Sequence, residues 1–268
     1  TTQIASLSAA GAAGLTSTQV DALTDAQIGA LTATEIGALS ATAVAGLSAA
    51  DITALDAAQF SALSGTGVSG LTTTQIGGLT TTQLGLLTAT GLGGLTATQI
   101  GALSARQFSS LTSTMIGALS TGAIGGLTTT QIDQMTATQI AGLTSTQIGS
   151  ISLAGLAELD AQDIAGMTIE QLTGLVRMQL RSLSTAQIAA LTTSQVSALS
   201  PAQVSSLTST ELNAMSLGQF GALSAAQIAA LSPIQLDLLD ATHSTALTPV
   251  QLSALTTTTV SEIGRAHV

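Results

Sequence analysis

An eight-residue period runs through the chain and constrains its fold more than any other feature. From Ser8 to Leu255 the sequence reads as consecutive octads of the form S/T-x-x-Q-I-x-x-L, and no insertion or deletion shifts the frame. We label the octad positions a to h. Position a is Ser, Thr or Asp except at Val176, d is mostly Gln, e is mostly aliphatic, and h is Leu, Met or Ile. A period this strict predicts a repeat architecture.

Each octad carries the signals of a helix start. Ser or Thr followed three residues later by Gln is the capping-box pattern, and h of the preceding octad with e forms a hydrophobic staple, as in Leu71 and Ile76. Pro201, Pro233 and Pro249 all fall at b, the first helical position, where proline is favoured. The octad therefore predicts a short helix from b to g and a corner at h and a.

Such short helices need neighbours, because isolated helices shorter than about 12 residues are marginal in water. Stacked octads share a continuous core, so we predict an all-α fold: a solenoid of very short helices, one per octad. Positions f and g are mainly Gly, Ala and Ser. Small residues there let helices approach closely, and Gly near g is expected to ease the corner.

Two other structures compete with this prediction. A β-solenoid would explain the Thr and Ile content, but e and h would point to opposite faces of a strand, and proline at one fixed position suits stacked strands badly. Disorder would fit the low complexity, but aliphatic residues recur at two fixed positions and charge is sparse, which is opposite to the disordered signature.

The composition excludes several classes of partner. The chain has four basic residues, all Arg, and a net charge of −10, whereas nucleic-acid binding requires a basic surface. No apolar run is long enough to span a membrane. The absence of Cys excludes disulfides and thiol chemistry, and it fits an extracellular repeat protein.

No linker or change of composition divides the chain, so we predict a single octapeptide-repeat solenoid over 1–263. The chain begins without Met and part-way through an octad, and residues 264–268 resemble a translated sequencing adapter. We therefore expect a fragment cut at both ends, with a non-native tail at 264–268. Ends without capping repeats are expected to self-associate through exposed apolar side chains.

The octads between Ser152 and Leu183 depart most from the repeat, because they concentrate charge and lose the cap at Val176. A carboxylate site for a hard cation is one interpretation, but the spacing lacks the alternating oxygens of a calcium loop. A charged recognition patch formed by Glu170, Arg177 and Arg181 is another. The simpler interpretation pairs the two arginines with nearby carboxylates. The charged residues are Glu158, Asp160, Asp163, Glu170, Arg177 and Arg181.

A second departure is the octad that begins at Asp240, where His243 replaces Gln at d and Ser244 replaces the aliphatic residue at e. With Asp237 and Asp240, His243 offers metal-type donors, but a single His indicates a decaying repeat rather than a metal site. No Ser-His-Asp set, phosphate-binding loop or dinucleotide fingerprint occurs in a fitting context. We predict no catalytic, cofactor-binding or metal-binding residues and no enzyme activity.

The most distinctive surface pattern is Thr-x-Thr at a and c. It resembles the Thr-x-Thr rows of β-solenoid ice-binding proteins, although here the first Thr is predicted to cap a helix. Stacked octads would array the second hydroxyls in rows, which predicts a binding surface for ice or glycan. The candidate residues at c are Thr74, Thr82, Thr90, Thr98, Thr130, Thr138 and Thr146.

The octads TSTQIGSI, STAQIAAL, TTSQVSAL and SPAQVSSL resemble the repeats of long, acidic, cysteine-free bacterial proteins described as surface or adhesin-like. This resemblance implies secretion and a role as a structural scaffold or stalk, and it supplies no catalytic residues. A structural repeat segment of a secreted or cell-surface protein is therefore the predicted function, with a binding module as the alternative.

Overall fold

Every α-helix in the described part of the chain is short, and the all-α prediction is confirmed. The computed structural model describes residue 4 and residues 7–255, which contain 31 α-helices of four to six residues. No strand occurs in this range, so the β-solenoid alternative is wrong for it. The predicted tail at 264–268 lies outside the described residues.

The chain forms two compact units, and the boundary falls between Gly142 and Leu143 in the sequence. The prediction of a single solenoid over 1–263 stays a prediction. The helices of unit 1 are α1 (Ala9–Ala13), α2 (Ser17–Asp21), α3 (Asp25–Ile28), α4 (Ala33–Ala38), α5 (Ala41–Ala45), α6 (Ala49–Ala54), α7 (Ala57–Ser61), α8 (Gly65–Ser69), α9 (Thr73–Gly78), α10 (Thr81–Leu86), α11 (Ala89–Gly93), α12 (Ala97–Gly101), α13 (Ala105–Ser109), α14 (Ser113–Ala118), α15 (Thr121–Gly125), α16 (Thr129–Asp133) and α17 (Ala137–Ala141).

The helices of unit 2 follow the same spacing of one per octad. They are α18 (Ser145–Ile148), α19 (Leu153–Glu158), α20 (Ala161–Gly166), α21 (Ile169–Thr173), α22 (Arg177–Leu180), α23 (Thr185–Ala190), α24 (Thr193–Ala198), α25 (Pro201–Val204), α26 (Ser209–Asn213), α27 (Leu217–Gly221), α28 (Ala225–Ala229), α29 (Pro233–Asp237), α30 (Ala241–Thr245) and α31 (Pro249–Ser253).

The residue at a restarts the helix in each octad. Thr72, in extended backbone, accepts a hydrogen bond from the backbone N–H of Gln75 at 3.2 Å, and its own N–H donates to Gln75 Oε1 at 2.6 Å. These bonds satisfy N–H groups that have no partner inside the helix. The three prolines open α25, α29 and α31 at the first position, as predicted. The restart in every octad is therefore made by side-chain chemistry.

Within each unit, a helix packs against the third helix along the chain. Three octads thus complete one turn, and the helices form three rows. In unit 1, for example, α2, α5, α8, α11, α14 and α17 form one row. The e and h side chains fill the interior, with Ile76 and Leu79 among those buried. Since each octad buries only two such side chains, its stability depends on the turns above and below it.

The glutamine at d has a second role, which links successive turns. Gln107 Nε2 donates to the carbonyl oxygens of Ile76 and Leu79, both at 2.8 Å, and Gln179 does the same to Ile148 and Ile151 at 2.8 and 2.9 Å. These acceptors lie in the preceding turn, at the carboxyl end of a helix, where carbonyls lack helical partners. One buried glutamine side chain therefore caps its own helix and also donates hydrogen bonds to carbonyl groups at the end of a helix in an earlier turn.

Most glycines at g pack closely, and none of those in the described residues turns the corner through a positive φ. No glycine in the described residues has positive φ, so the expectation that Gly eases the corner by its conformational freedom is wrong. A Cβ added at Gly94 would lie 2.0 Å from the carbonyl oxygen of Gly65, and one at Gly70 would lie 2.1 Å from that of Ala41. These glycines are needed because adjacent helices of one row nearly touch, which agrees with the predicted close approach.

Candidate functional site

The seven threonines predicted to bind ice or glycan are all exposed at position c, but they do not form one row. Thr90 and Thr138 lie on α11 and α17, in the row that begins with α2. Thr74 and Thr98 lie on α9 and α12, which pack together in another row. The remaining three, on α10, α16 and α18, are Thr82, Thr130 and Thr146.

One row of unit 1 carries Thr at c on every helix, and we call these residues the Thr row. They recur in every third octad, on α2, α5, α8, α11, α14 and α17, and all are exposed. Packed helices lie about 8–10 Å apart, so the hydroxyls form a regular line with roughly that spacing. The Thr row consists of Thr18, Thr42, Thr66, Thr90, Thr114 and Thr138.

The surroundings of the Thr row leave its hydroxyls open to solvent. The b positions beside it are small throughout, being Ser, Ala or Gly. Within the described residues, none of the six hydroxyls takes part in an intramolecular hydrogen bond. Most threonines at a differ in this respect, because their hydroxyls accept a backbone N–H, as Thr88 does from Gly91 at 3.2 Å. The Thr row therefore presents hydrogen-bond donors and acceptors on a surface with no large neighbouring side chains at b.

Sequence reasoning missed four members of the Thr row because it compared octads that are neighbours in sequence. Neighbouring octads lie in different rows, so a list taken octad by octad mixes the three faces of the coil. Reading position c in every third octad isolates a column that is Thr from Thr18 to Thr138. Whether these threonines bind a ligand stays a prediction.

The predicted charged patch contains two exposed arginines that lack ion-pair partners among the described residues. Arg177 is the first residue of α22 and Arg181 follows its end, while Glu170 lies on α21. Among the described residues, the single contact within 4.0 Å between a basic and an acidic side chain joins His243 to Asp240. The expectation that the two arginines pair with nearby carboxylates is therefore wrong. Val176 has no acceptor atom in its side chain, so only the bond from its N–H to Gln179 Oε1, at 2.9 Å, caps α22.

Glu211 is a buried carboxylate at position d, where most octads have Gln. It accepts a hydrogen bond from the N–H of Thr208, and burial raises the pKa of this carboxyl, while hydrogen bonds from Thr208 and the charge of Arg181 oppose the rise. An ionised carboxylate has no proton to donate. Glu211 therefore caps α26 but, when ionised, it cannot supply the link to carbonyls of the earlier turn.

His243 occupies d and replaces the missing glutamine in a different way. Its Nε2 lies 2.8 Å from the carbonyl oxygen of Met215 in the preceding turn, and its Nδ1 lies 2.8 Å from Asp240 Oδ1. The buried ring meets Phe220 edge to face, with centroids 5.1 Å apart. Hydrogen bonds from the backbone and ring of His243 hold the pKa of Asp240 below its ordinary value. His243 is therefore a structural link between turns.

The described residues contain no group of three or more His, Cys, Asp or Glu side chains arranged to hold a metal ion. In the same range, no helix has the length and apolar character that crossing a membrane would require. Surface cavities of the described chain lie beside the corners, where Ser, Thr and Gly are frequent in their walls, and arginine lines two of them.

A comparison with known protein families agrees with a repeat architecture. The ALTTAQ repeat family matches residues 178–209. No curated protein matches the chain. Among solved structures, the chain is similar to the leucine-rich repeat-containing protein LegL7 from Legionella pneumophila, with 11% sequence identity and a TM-score of 0.25. That alignment covers 95% of this chain and 90% of the other. The family match and the octads together identify a repeat protein.

Proposed function

We propose that the chain is a non-catalytic structural scaffold whose role is to set distance within a larger secreted or cell-surface protein. The observation that carries this proposal is the internal use of each octad's polar groups. The hydroxyl at a and the amide at d bond to backbone groups of the same and an earlier turn, as Ser184 and Gln187 do. A chain built this way gains length by adding turns and needs no unlike residues gathered at one place.

Removing one whole turn should shorten the scaffold without unfolding it. Deleting 72–95 removes three octads and returns every later helix to its own row. Because the chain has no Cys, spin labels on Thr34→Cys and Thr130→Cys can report the distance across the deletion by pulsed electron resonance. We expect the distance to fall by one helix spacing, about 8–10 Å.

A deletion that breaks the octad frame is the matched control. Removing 72–83 takes out one and a half octads, so one octad loses its cap and later helices leave their rows. We expect loss of the cooperative thermal transition in this variant and its retention in the three-octad deletion. Equal loss of folding in both variants would contradict a scaffold that grows by turns.

The proposed surface location rests on the resemblance of the octads to repeats of adhesin-like bacterial proteins. Antibodies against the chain, applied to intact and to permeabilised cells that express the parent protein, provide the test. Labelling of intact cells supports the proposal. Labelling confined to permeabilised cells contradicts the location and leaves the scaffold role intact.

The Thr row favours a second candidate function, the binding of a flat ordered surface such as ice or crystalline polysaccharide. Six unbonded hydroxyls at regular intervals could match a lattice, whereas a single small molecule would contact only one or two. Thermal hysteresis and retention on crystalline chitin or cellulose test this function. We expect Thr66→Lys with Thr90→Lys to abolish binding, and Thr74→Lys with Thr98→Lys, in a different row, to leave most of it. Wild-type behaviour equal to buffer in both assays removes this candidate.

A further inference from the structure

A cavity in unit 2 gathers half of the basic residues of the chain. It has a volume of about 350 Å³ and lies beside the corner between α25 and α26, where three successive turns border it. Arg177 and Arg181 line it from the two ends of α22, Ser209 lies at the start of α26, and Ser232 caps α29. We call it the arginine cavity.

The two arginines are placed unfavourably for a purely structural role. They stand four residues apart at the two ends of α22, so their side chains lie on the same side of the helix, where like charges repel. Both are exposed, and no carboxylate lies within 4.0 Å of either guanidinium among the described residues. In a chain with 14 acidic residues and four basic ones, two adjacent cations without ion pairs form an unusual positive site.

Hydroxyl donors complete the wall of the cavity. Ser232 accepts from the N–H of Gln235 at 3.2 Å, and in the described residues its own O–H is not donated. The hydroxyl of Ser209 takes part in no hydrogen bond within the same range. By contrast, Ser205 donates its proton to Ala202 O at 3.0 Å, so it is not a free donor. Two guanidiniums and two hydroxyls from three turns thus border one space.

The buried carboxylate of Glu211 adds one negative charge near Arg181. With two guanidiniums present, the site keeps a net positive charge. A carboxylate ligand is planar and is satisfied by the fork of one guanidinium, whereas a tetrahedral oxyanion presents oxygens in several directions. Donors that come from three separate turns match the second geometry better.

We propose that the arginine cavity binds a tetrahedral oxyanion, a phosphate or sulfate group either free or as an ester. The guanidiniums of Arg177 and Arg181 supply the charge, and the hydroxyls of Ser209 and Ser232 orient the group. This inference goes beyond the scaffold function, which does not depend on it.

Titration calorimetry at constant ionic strength tests the proposal, with sodium phosphate and sodium sulfate as probes and sodium chloride as the reference. We expect saturable binding of phosphate or sulfate to the full chain. Arg177→Gln and Arg181→Gln should each weaken it about tenfold, since each removes a charge-assisted hydrogen bond. Both arginines are exposed and repel each other, so the melting temperature, followed by circular dichroism, should not fall in either variant.

Arg106 provides the matched control. It lines a smaller cavity of about 260 Å³ in unit 1, together with Ser104 and Thr80, and no second arginine lines that cavity. Arg106→Gln should leave anion binding unchanged. Heats equal to those of chloride, or equal weakening by Arg106→Gln and Arg181→Gln, would overturn the proposal. Tighter binding of glucose 6-phosphate or glucose 6-sulfate than of the inorganic anions identifies an ester as the ligand, and equal or weaker binding identifies the free anion.

Discussion

Units 1 and 2 share one type of interior but differ in their surfaces. In both, most side chains at e and h are buried and glutamine at d links turns, as Gln99 does in unit 1 and Gln227 in unit 2. Among the described residues, every exposed large apolar side chain lies in unit 2. These side chains are Leu153, Ile169, Val176, Met178, Leu217, Ile234, Leu238, Val250 and Leu252.

The difference is clearest at position c. The Thr row of unit 1 has no counterpart in the row of α20, α23 and α26 in unit 2, which carries Gln162, Ala186 and Thr210. The interior tolerates little change because its atoms are close-packed, whereas b and c face solvent. The comparison teaches that the fold resides in a, d, e and h, and that the two units differ in their exposed residues, chiefly at b, c and f.

The largest effect should come from charging the shared interior. Leu103 in unit 1 and Leu191 in unit 2 are both buried at h. Replacing either with Asp should reduce the free energy of unfolding by about 4 kcal/mol or more, since an unpaired charge would be buried. Chemical denaturation measures the loss, and hydrogen exchange should show several neighbouring octads opening together. A decrease in the free energy of unfolding for only one of the two variants would contradict a common type of interior.

The close packing of the Thr row should make one glycine indispensable and another dispensable. Gly94→Ala would place a methyl group against Gly65 and should destabilise unit 1 by roughly 1–3 kcal/mol. Gly78, also at g, has nothing within 4 Å of an added Cβ. Gly78→Ala should instead stabilise by about 0.5–1 kcal/mol through higher helix propensity. If the melting temperatures of both variants shifted in the same direction, close helix packing would not explain why glycine occupies position 94.

The hydrogen bond from His243 to the Met215 carbonyl should be replaceable by one from glutamine, the usual residue at position d. His243→Ala removes the partner of the Met215 carbonyl and should destabilise unit 2 by about 1–3 kcal/mol, whereas His243→Gln should retain most of the stability. The pKa of Asp240 is lowered in the folded chain, so its stabilising contribution is present above its unfolded value of 3.8 and is lost as pH falls through the folded pKa. Melting curves from pH 3 to 7 measure both effects. Equal melting of the Ala and Gln variants would show that the ring bonds contribute little.

The smallest effect concerns Glu211. Because its folded pKa is raised above 4.5, its contribution to stability is complete below pH 4.5 and is lost as pH rises through the folded value. Glu211→Gln should therefore stabilise unit 2 by about 1 kcal/mol at pH 7 and by less at pH 4. Gln195→Glu, in the same unit, is the reverse control and should destabilise more at pH 7 than at pH 4. If the difference in stability between Glu211→Gln and the wild type were the same at pH 4 and pH 7, burial of an ionisable carboxyl would not be its cause.

The helices, their caps and their buried face could be predicted from the sequence because each is determined within a single octad and its nearest neighbour. The number of octads in a turn could not, because all three rows carry the same e and h pattern. The partner of the glutamine amide lies a full turn away and is invisible to local reasoning. One signal was available: Glu would complete a capping box equally well, so the preference for Gln at d indicated that a donor was needed.

The surface features were harder to predict for a related reason. The sequence pattern selects Thr90 and Thr138 but not Thr42 and Thr66, because the three-octad turn that aligns them is not visible in the sequence. The arginine cavity joins Arg177 to Ser232, several octads later in the sequence, and no local pattern brings them together.

The direction of the glutamine bonds has a consequence for how the protein forms during synthesis. The amides that link turns donate to carbonyls of residues translated earlier. The acceptors of each newly synthesised turn are therefore already present when that turn leaves the ribosome. Sequence separation between contacting residues within a unit stays near one turn however many turns are added. Relative contact order thus falls with length, and elongation of the coil can proceed vectorially, without the long loop closures that slow other large folds.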